Sequence, residues 1–213
     1  MAKHAKPNCK VCRRHGEKLY LKGRRCESDK CPVDTRKRKS RMVGRGAPKP
    51  RRIKTSEYGL QLRERNKIKT YYGLLERQFR RYFAIAKKSR GVTGTLLLQL
   101  LERRLDNVVH KLNWAFSQRM AKQMVCSGCI LVNNRRMDRP GYIVKLNDII
   151  QIKGHSHYFK ISMECLEERK DALIPTWLEY SKDSNAGKVV RFPAREETSI
   201  PIQEQLIVNF YSK

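Results

Sequence analysis

The stretch LERRLDNVVHKLNWAFSQRMAKQMVCSGCILVNNRRMDRPGY, residues 101–142, decides how this chain folds. Leu101, Leu105, Val108 and Leu112 continue a series begun at Leu97, at steps of four and three, which is the spacing of one buried helical face. Thr95 is placed to cap that helix and Asn113 to end it. Opposite the leucines, Arg104, Asn107 and Lys111 fall at i, i+3 and i+7, a predicted polar stripe. Ser117 then caps a short helix whose Met120, Ala121, Met124 and Val125 point inward, while Arg119, Lys122 and Gln123 point out. Gly128 supplies the left-handed residue that stops it. Ile130–Asn133 reads as a strand. Asn133-Asn134 reads as a tight turn, because asparagine tolerates positive φ better than other non-glycine residues. Arg135, Arg136 and Arg139 load this hairpin with charge, and a turn at Asn147-Asp148 precedes a strand over Ile149–Ile152. The spacing therefore predicts two helices leading into a small basic hairpin. Arg119 and Lys122 on one side, with Arg135 and Arg136 on the other, are placed to grip a phosphate backbone.

Working upstream, Ser56 caps a helix running towards Tyr72, with Gly73 as its stop. Leu60, Glu64, Ile68 and Tyr71 share one face, and Arg63 and Lys67 another. A second helix follows, with Leu75, Phe79, Tyr82, Phe83 and Ala86 inward and Arg77, Arg80 and Arg81 outward. That aromatic stripe is read as core, not as a platform for bases, and Trp114 and Trp177 as packing residues. Downstream, residues 158–171 read as an acidic-edged helix, and 189–192 and 206–211 as strands, the last an apolar tail expected to pack against the body.

At the N-terminus, Cys9, Cys12, Cys26 and Cys31 follow the spacing C-x2-C-x13-C-x4-C. Closely paired cysteines in a chain of cytosolic character favour a metal clip over disulfides, and four thiolates close a tetrahedral site around one zinc ion. An iron–sulfur cluster on the same thiolates is the second choice. His15 is a possible substitute ligand, whereas His4, His110, His155 and His157 lack metal spacing and are expected to be solvated or phosphate-facing. Cys126 and Cys129 form another C-x2-C, read as structural ahead of redox or half-zinc chemistry.

The whole chain carries 48 Lys+Arg against 20 Asp+Glu in 213 residues, a formal net charge of +28. Residues 1–55 alone hold 20 Lys+Arg against 4 Asp+Glu. Such a segment does not fold on apolar burial alone, and its charge calls for a polyanion, nucleic acid above all. Within it, Arg13, Arg14, Lys22, Arg24 and Arg25 decorate the cysteine module. Residues 32–55 read as a Pro/Gly-interrupted linker carrying Arg45, Lys49, Arg51, Arg52 and Lys54. No apolar run approaches the roughly 18 residues that span a bilayer. No signal peptide opens the chain and no Asn-x-Ser/Thr sequon occurs, so a cytoplasmic location without a membrane partner is expected.

Taken together, several stretches resemble the bacterial-type family of small ribosomal subunit protein four in its zinc-binding form. They are CKVCRRHGEKLYLKGRRC (9–26), SEYGLQLRERNKIKTYYG (56–73), LLERQFRRYF (74–83), GVTGTLLLQLLERRLDNVVHKL (91–112), the hairpin ILVNNRRMDRPGY (130–142) and the ending EQLIVNFYSK (204–213). Residues 102–165 resemble the small RNA-binding domain named after that protein. The resemblance implies a primary binder of small-subunit ribosomal RNA that helps nucleate the 5′ domain, lines the messenger RNA entry channel, touches the fifth small-subunit protein and supports decoding accuracy. It implies zinc ligands at Cys9, Cys12, Cys26 and Cys31, and RNA-facing positions at Arg104, Asn107, Ser117, Arg119, Lys122, Asn133, Asn134 and Arg135. The resemblance implies a cytoplasmic ribosome, with an organelle ribosome as the alternative. Many members carry Pro-Pro-Gly-x-His-Gly in the linker, where this chain reads Met42-Val43-Gly44-Arg45-Gly46, and Asn134 stands where glycine is usual.

The expected fold is α+β: a zinc-bound basic module (1–45), a helical domain (46–101), an inserted small αα-β RNA-binding domain (102–165) and a C-terminal segment (166–213) packing back on the helical part. An RNA-modifying or tRNA-charging enzyme, or another RNA-binding regulator, sharing the small domain is the rival reading. The chain lacks the motifs G-x-x-x-x-G-K-[ST], G-x-S-x-G and H-E-x-x-H. A zinc-finger DNA regulator is disfavoured by the absence of a C-x2-C…H-x3-H finger.

Overall fold

The computed structural model describes residues 7–33, 56–154, 156–169, 172–181, 184–198 and 200–212. In chain order the elements are helices α1 (Asn8–His15), α2 (Arg24–Glu27), α3 (Glu57–Tyr71), α4 (Glu76–Lys88), α5 (Thr93–Glu102), α6 (Leu105–Lys111) and α7 (Gln118–Cys126), then strands β1 (Ile130–Val132), β2 (Arg135–Met137) and β3 (Ile149–Ile152). Helix α8 (His157–Glu168), strands β4 (Leu178–Ser181) and β5 (Ala186–Val189), a 3-10 turn (Arg195–Glu197) and helix α9 (Glu204–Tyr211) complete them. The chain divides into two compact units, residues 1–76 with 202–213, and residues 77–201.

In the first unit, α3 starts where the Ser56 hydroxyl accepts from the Gly59 amide at 3.2 Å, and its end is followed by Gly73 at φ 59°, as the sequence predicts. Ile68 is fully buried, but Leu60, expected beside it, is 42% exposed. Helix α9 packs on α3. Its Ile207 is fully buried, the Phe210 ring lies 5.7 Å from that of Tyr58, and the Arg65 guanidinium stands 4.7 Å over Phe210. The strand expected over 206–211 is therefore a helix. Among the described residues this unit has no strand for such a segment to pair with, and a helix satisfies its own backbone.

The second unit packs helices against one antiparallel sheet in the order β2-β1-β3-β5-β4. Ile130 pairs with Met137 on one side and Ile152 on the other, so its side chain and theirs share a face. The core joins Leu105, Val108 and Leu112 of the α6 segment, Ala121, Met124 and Val125 of α7, and Ile130, Ile150, Trp177 and Val189 of the sheet layer. Both tryptophans are packing residues, at most 1% exposed. Gly187 lets α6 sit close on the sheet: a Cβ there would stand 2.4 Å from Leu112 Cδ1. Strands over 130–132 and 149–152 match the sequence reading, the one expected over 189–192 instead runs Ala186–Val189, and β4 has no counterpart in that reading.

The long leucine helix is two helices. It starts at Thr93, with Val92 in the capping position instead of Thr95, and breaks at Arg104, whose backbone is extended at φ −67°, ψ 137°. At the break the Leu105 amide donates to Tyr142 O at 2.8 Å and the Val144 amide to Arg103 O at 2.9 Å. The leucine spacing survives because both helices feed the buried interior.

Candidate nucleic-acid interface

The small domain presents its charge from α7 and the β1–β2 hairpin. Ser117 caps α7 by accepting from the Met120 amide at 3.3 Å, which commits its hydroxyl to the helix. Arg119 and Gln123 are exposed and Lys122 half-buried, while Ala121, Met124 and Val125 are wholly enclosed. Gly128, at φ 68°, ends the helix, and a Cβ there would fall 2.0 Å from Arg136 Nε. The Arg136 side chain therefore lies directly on the end of α7, which brings one hairpin cation beside that helix. Arg135 and Arg139 are exposed as well.

The hairpin turn is built on two left-handed asparagines, Asn133 at φ 50° and Asn134 at φ 62°, the conformation its sequence predicts. Asn133 is exposed, yet both ends of its side-chain amide are engaged. It donates to Asp148 Oδ1 at 2.8 Å and accepts from the Ile149 amide at 2.9 Å. Asp148, 5% exposed, also accepts from the Lys145 amide at 2.8 Å and the Tyr142 hydroxyl at 3.3 Å. Burial first, and then the Asp148 charge and hydrogen bond, push the Tyr142 hydroxyl up. Asp148 thus ties both turns of the sheet together, a positioning role that the sequence reading misses. Its place after Asn147 in a turn signal is the one hint the sequence carries. Asn134 is left exposed at the tip.

The predicted stripe of Arg104, Asn107 and Lys111 is not a surface. Arg104 is 2% exposed, and its Nε and Nη2 donate to Asp106 Oδ1 and Oδ2 at 3.0 and 2.6 Å. Its Nη1 donates to the Tyr82 hydroxyl at 2.7 Å. Burial acts to lower the Arg104 guanidinium, but Asp106 and Tyr82 outweigh it and raise it. Asn107 is fully buried and donates to the Glu102 carbonyl at 2.9 Å and to the Glu102 side chain. Lys111 is half-buried. The helix break at Arg104 rotates these groups inward, so the stripe drawn on one continuous helix does not form.

In the first unit, Arg13, Arg14, Lys22, Arg24, Arg25 and Arg63 are exposed. The Arg63 Nη2 donates to Arg14 O at 3.4 Å. Lys67, expected to face solvent with Arg63, is 4% exposed and pairs with Glu17 at 2.7 Å. Arg77, Arg80 and Arg81 of α4 are exposed, opposite buried Phe79, Tyr82, Phe83 and Ala86. Arg45, Lys49, Arg51, Arg52 and Lys54 lie outside the described residues. His110, expected to be solvated or phosphate-facing, is instead half-buried with its Nδ1 enclosed.

The four N-terminal cysteines are free thiols in one neighbourhood, with Cys12, Cys26 and Cys31 buried and Cys9 half-buried. Cys12 and Cys31 belong to a small apolar cluster with Val11, Leu19, Leu21 and Val33. The Lys22 amide donates to Cys26 Sγ at 3.3 Å. Burial pushes the Cys12 thiol up, a backbone hydrogen bond at Leu19 draws it down, and nearby Cys26, Cys9 and Cys31 push it up again. The donor chemistry suits a thiophilic divalent ion: sulfur only, four in number, with backbone amides directed at Cys12 and Cys26. Among the described residues, however, no three His, Cys, Asp or Glu side chains stand converged as metal ligands. The mixed helix-and-sheet fold is as expected.

Comparison with known proteins places these features. Residues 3–102 match the family model for the ribosomal protein S4/S9 N-terminal domain, and residues 103–150 match that for the S4 domain. Over all 213 residues and the full length of each relative, the chain is 48% identical to small ribosomal subunit protein uS4 of Halothermothrix orenii. Identity is 47% over the same full spans to the uS4 proteins of Dictyoglomus turgidum and Acetivibrio thermocellus. The two family matches together run from residue 3 to residue 150 and the relatives match over their full length, and this chain belongs to the uS4 family of small ribosomal subunit proteins.

Proposed function

We propose that this chain is a structural constituent of the small ribosomal subunit that binds small-subunit ribosomal RNA and carries out no chemistry of its own. The observation that carries this reading is the two-sided build of the small domain. An apolar core seals one face of α7 and the hairpin, and the other presents Arg119, Gln123, Asn134, Arg135 and Arg136 to solvent. Cations fixed on a rigid frame displace condensed counterions from phosphates. RNA shape governs such recognition, because A-form major grooves are too narrow for side chains and junctions set phosphates in distinctive arrangements.

Within this reading, the protein binds early, joins RNA helices of the 5′ domain and nucleates its assembly. It contributes cations to the messenger RNA entry channel and touches the fifth small-subunit protein where decoding accuracy is maintained. The charge of +28 and the Arg-rich segment before Ser56 support a role at a polyanion-lined passage. We further propose that Cys9, Cys12, Cys26 and Cys31 hold one zinc ion. A zinc ion there would supply a tetrahedral anchor and neutralise thiolate charge. The supports are the ligand spacing, the shared neighbourhood and the amide directed at Cys26. Cytoplasm is the compartment this implies, where thiols stay reduced.

The test is competition binding of small-subunit ribosomal RNA against duplex DNA at matched salt, with Arg119→Ala and Arg135→Ala beside the parent chain. Each substitution is expected to weaken RNA binding roughly five- to tenfold without lowering the melting temperature. Unchanged affinity in both, or equal preference for duplex DNA, contradicts the reading.

A further inference from the structure

A cleft of about 370 Å³ opens in the second unit between helix α4 and the loop Arg139–Ile143. Its size lies at the low end of the roughly 300–1,000 Å³ typical of small-ligand pockets, so it suits one compact ligand. At its mouth stand Arg81 and Arg139, both exposed, and among the described residues neither forms an ion pair. Its floor is Tyr82 and Arg104, locked by the Asp106 pair and by the Tyr82 hydroxyl, which donates to Gly141 O at 3.2 Å. That network is charge-balanced, so the cleft's excess charge is the two guanidinium groups at the mouth. The walls are of another kind. Ile85 and Ile143 are apolar, and Tyr142 presents a ring whose hydroxyl is tied back to Asp148. The Gln78 amide also lines the space, with no hydrogen-bond partner among the described residues.

Two unpaired cations beside an aromatic ring, aliphatic side chains and an uncommitted amide match the parts of a nucleotide. Phosphate goes to the guanidinium groups, a base lies against the ring and aliphatic wall, and a base edge meets the amide. A featureless phosphate track needs no such walls. We propose that this cleft holds one unstacked nucleotide of the bound RNA, with its phosphate on Arg81 and Arg139 and its base between Tyr142 and Ile85. The proposal rests on the RNA-binding reading above and adds a discrete subsite apart from the α7–hairpin surface. Arg104, buried beneath it, then acts as a positioning residue that fixes Tyr82 and Gly141.

The test uses the full chain in two measurements. In the first, amide chemical shifts are followed while adenosine 5′-monophosphate, inorganic phosphate or adenosine is added. The monophosphate is expected to shift residues 78–85 and 139–143 at lower concentration than phosphate or adenosine, and Arg81→Gln with Arg139→Gln to abolish the response. In the second, small-subunit RNA carrying 5-iodouridine is irradiated and crosslinked peptides are mapped. Crosslinks at Tyr142 are expected, reduced by the same double substitution, with Lys160→Gln as an unaffected control. The double variant should also lose affinity for the RNA roughly tenfold, and Tyr142→Leu should lower it while Tyr142→Phe keeps the ring and most of the binding. RNA bound with no monophosphate response and no crosslink at the cleft overturns the subsite and leaves the general reading standing. Failure of the parent chain to bind the RNA at all overturns both.

Discussion

Arg104 and Asp106 lie two residues apart at the turn between α5 and α6, at 2% and 0% exposure, joined by a two-pronged pair. Removing one partner from such a pair leaves the other charge buried and uncompensated, which costs about 3–5 kcal/mol. Asp106→Ala is therefore expected to lower the unfolding free energy of the second unit by that amount in urea titration, read by Trp114 and Trp177 fluorescence. A loss below about 1 kcal/mol would show that the site relaxes or hydrates. His110 sets a second expectation. The ring is half-buried by area, but its Nδ1 is enclosed and has no partner among the described residues. Burial first, then the Arg169 and Lys111 charges, draw the ring down to about 4. The unfolded chain takes up that proton near pH 6.5 and the folded one does not, so stability is complete above about pH 6.5 and falls as pH drops towards 4. The loss is at most about 3 kcal/mol, and His110→Gln should flatten that dependence. A parallel profile in the variant contradicts it. The roles of single residues are legible in sequence where they are local. Ser56 and Ser117 cap as read, and the asparagine pair at the hairpin takes positive φ. Arg104, Asn107 and Lys67 are misread because each has a partner that sequence spacing alone does not place: Asp106 just past the helix break, Glu102 before it, and Glu17 in the turn after α1.

At the scale of elements, the hairpin owes its shape to Asp148, which collects bonds from Asn133, Tyr142 and the Lys145 amide. Asp148→Ala leaves those donors to find other partners inside the fold. A destabilisation of about 2–3 kcal/mol is expected, with faster amide exchange at residues 133–134 and weaker RNA binding although every exposed arginine remains. Unchanged exchange would mean that the sheet alone fixes the turn. The α7–hairpin element is readable because its signals agree: a capping serine, a stopping glycine, a two-residue turn and apolar spacing all point the same way. The break within the leucine series is not, since Leu101, Leu105 and Leu112 are buried whether the helix is continuous or bent. Its cause is the strand-like pairing of residues 103–105 with 142–144, some forty residues away. The tail defeats the sequence reading for a related reason. A run such as Leu206-Ile207-Val208 has no period that separates strand from helix, and the outcome is set by packing on α3.

For the whole molecule the governing quantity is charge. A chain at +28 folds around apolar clusters in each unit, and exposed cations such as Arg119 and Arg135 are left on the surface for a polyanion. If zinc completes the N-terminal module, chelation should speed amide exchange across residues 7–33 and leave the second unit's protection intact. Equal protection of residues 7–33 with and without metal would remove the ion from the account. The fold class and the charged face of the small domain can be read from sequence, whereas the Arg81–Arg139 cleft, assembled from residues far apart in the chain, cannot. Salt dependence measures the central claim most directly. Binding of small-subunit ribosomal RNA should be followed across ionic strength for the parent chain and for a variant with Arg119, Lys122, Arg135 and Arg136 all changed to Gln. The account predicts a steep linear fall of log affinity with log salt, with a slope shallower in the variant by about 0.7–0.9 for each phosphate no longer neutralised. Identical slopes and affinities in the two proteins would contradict it.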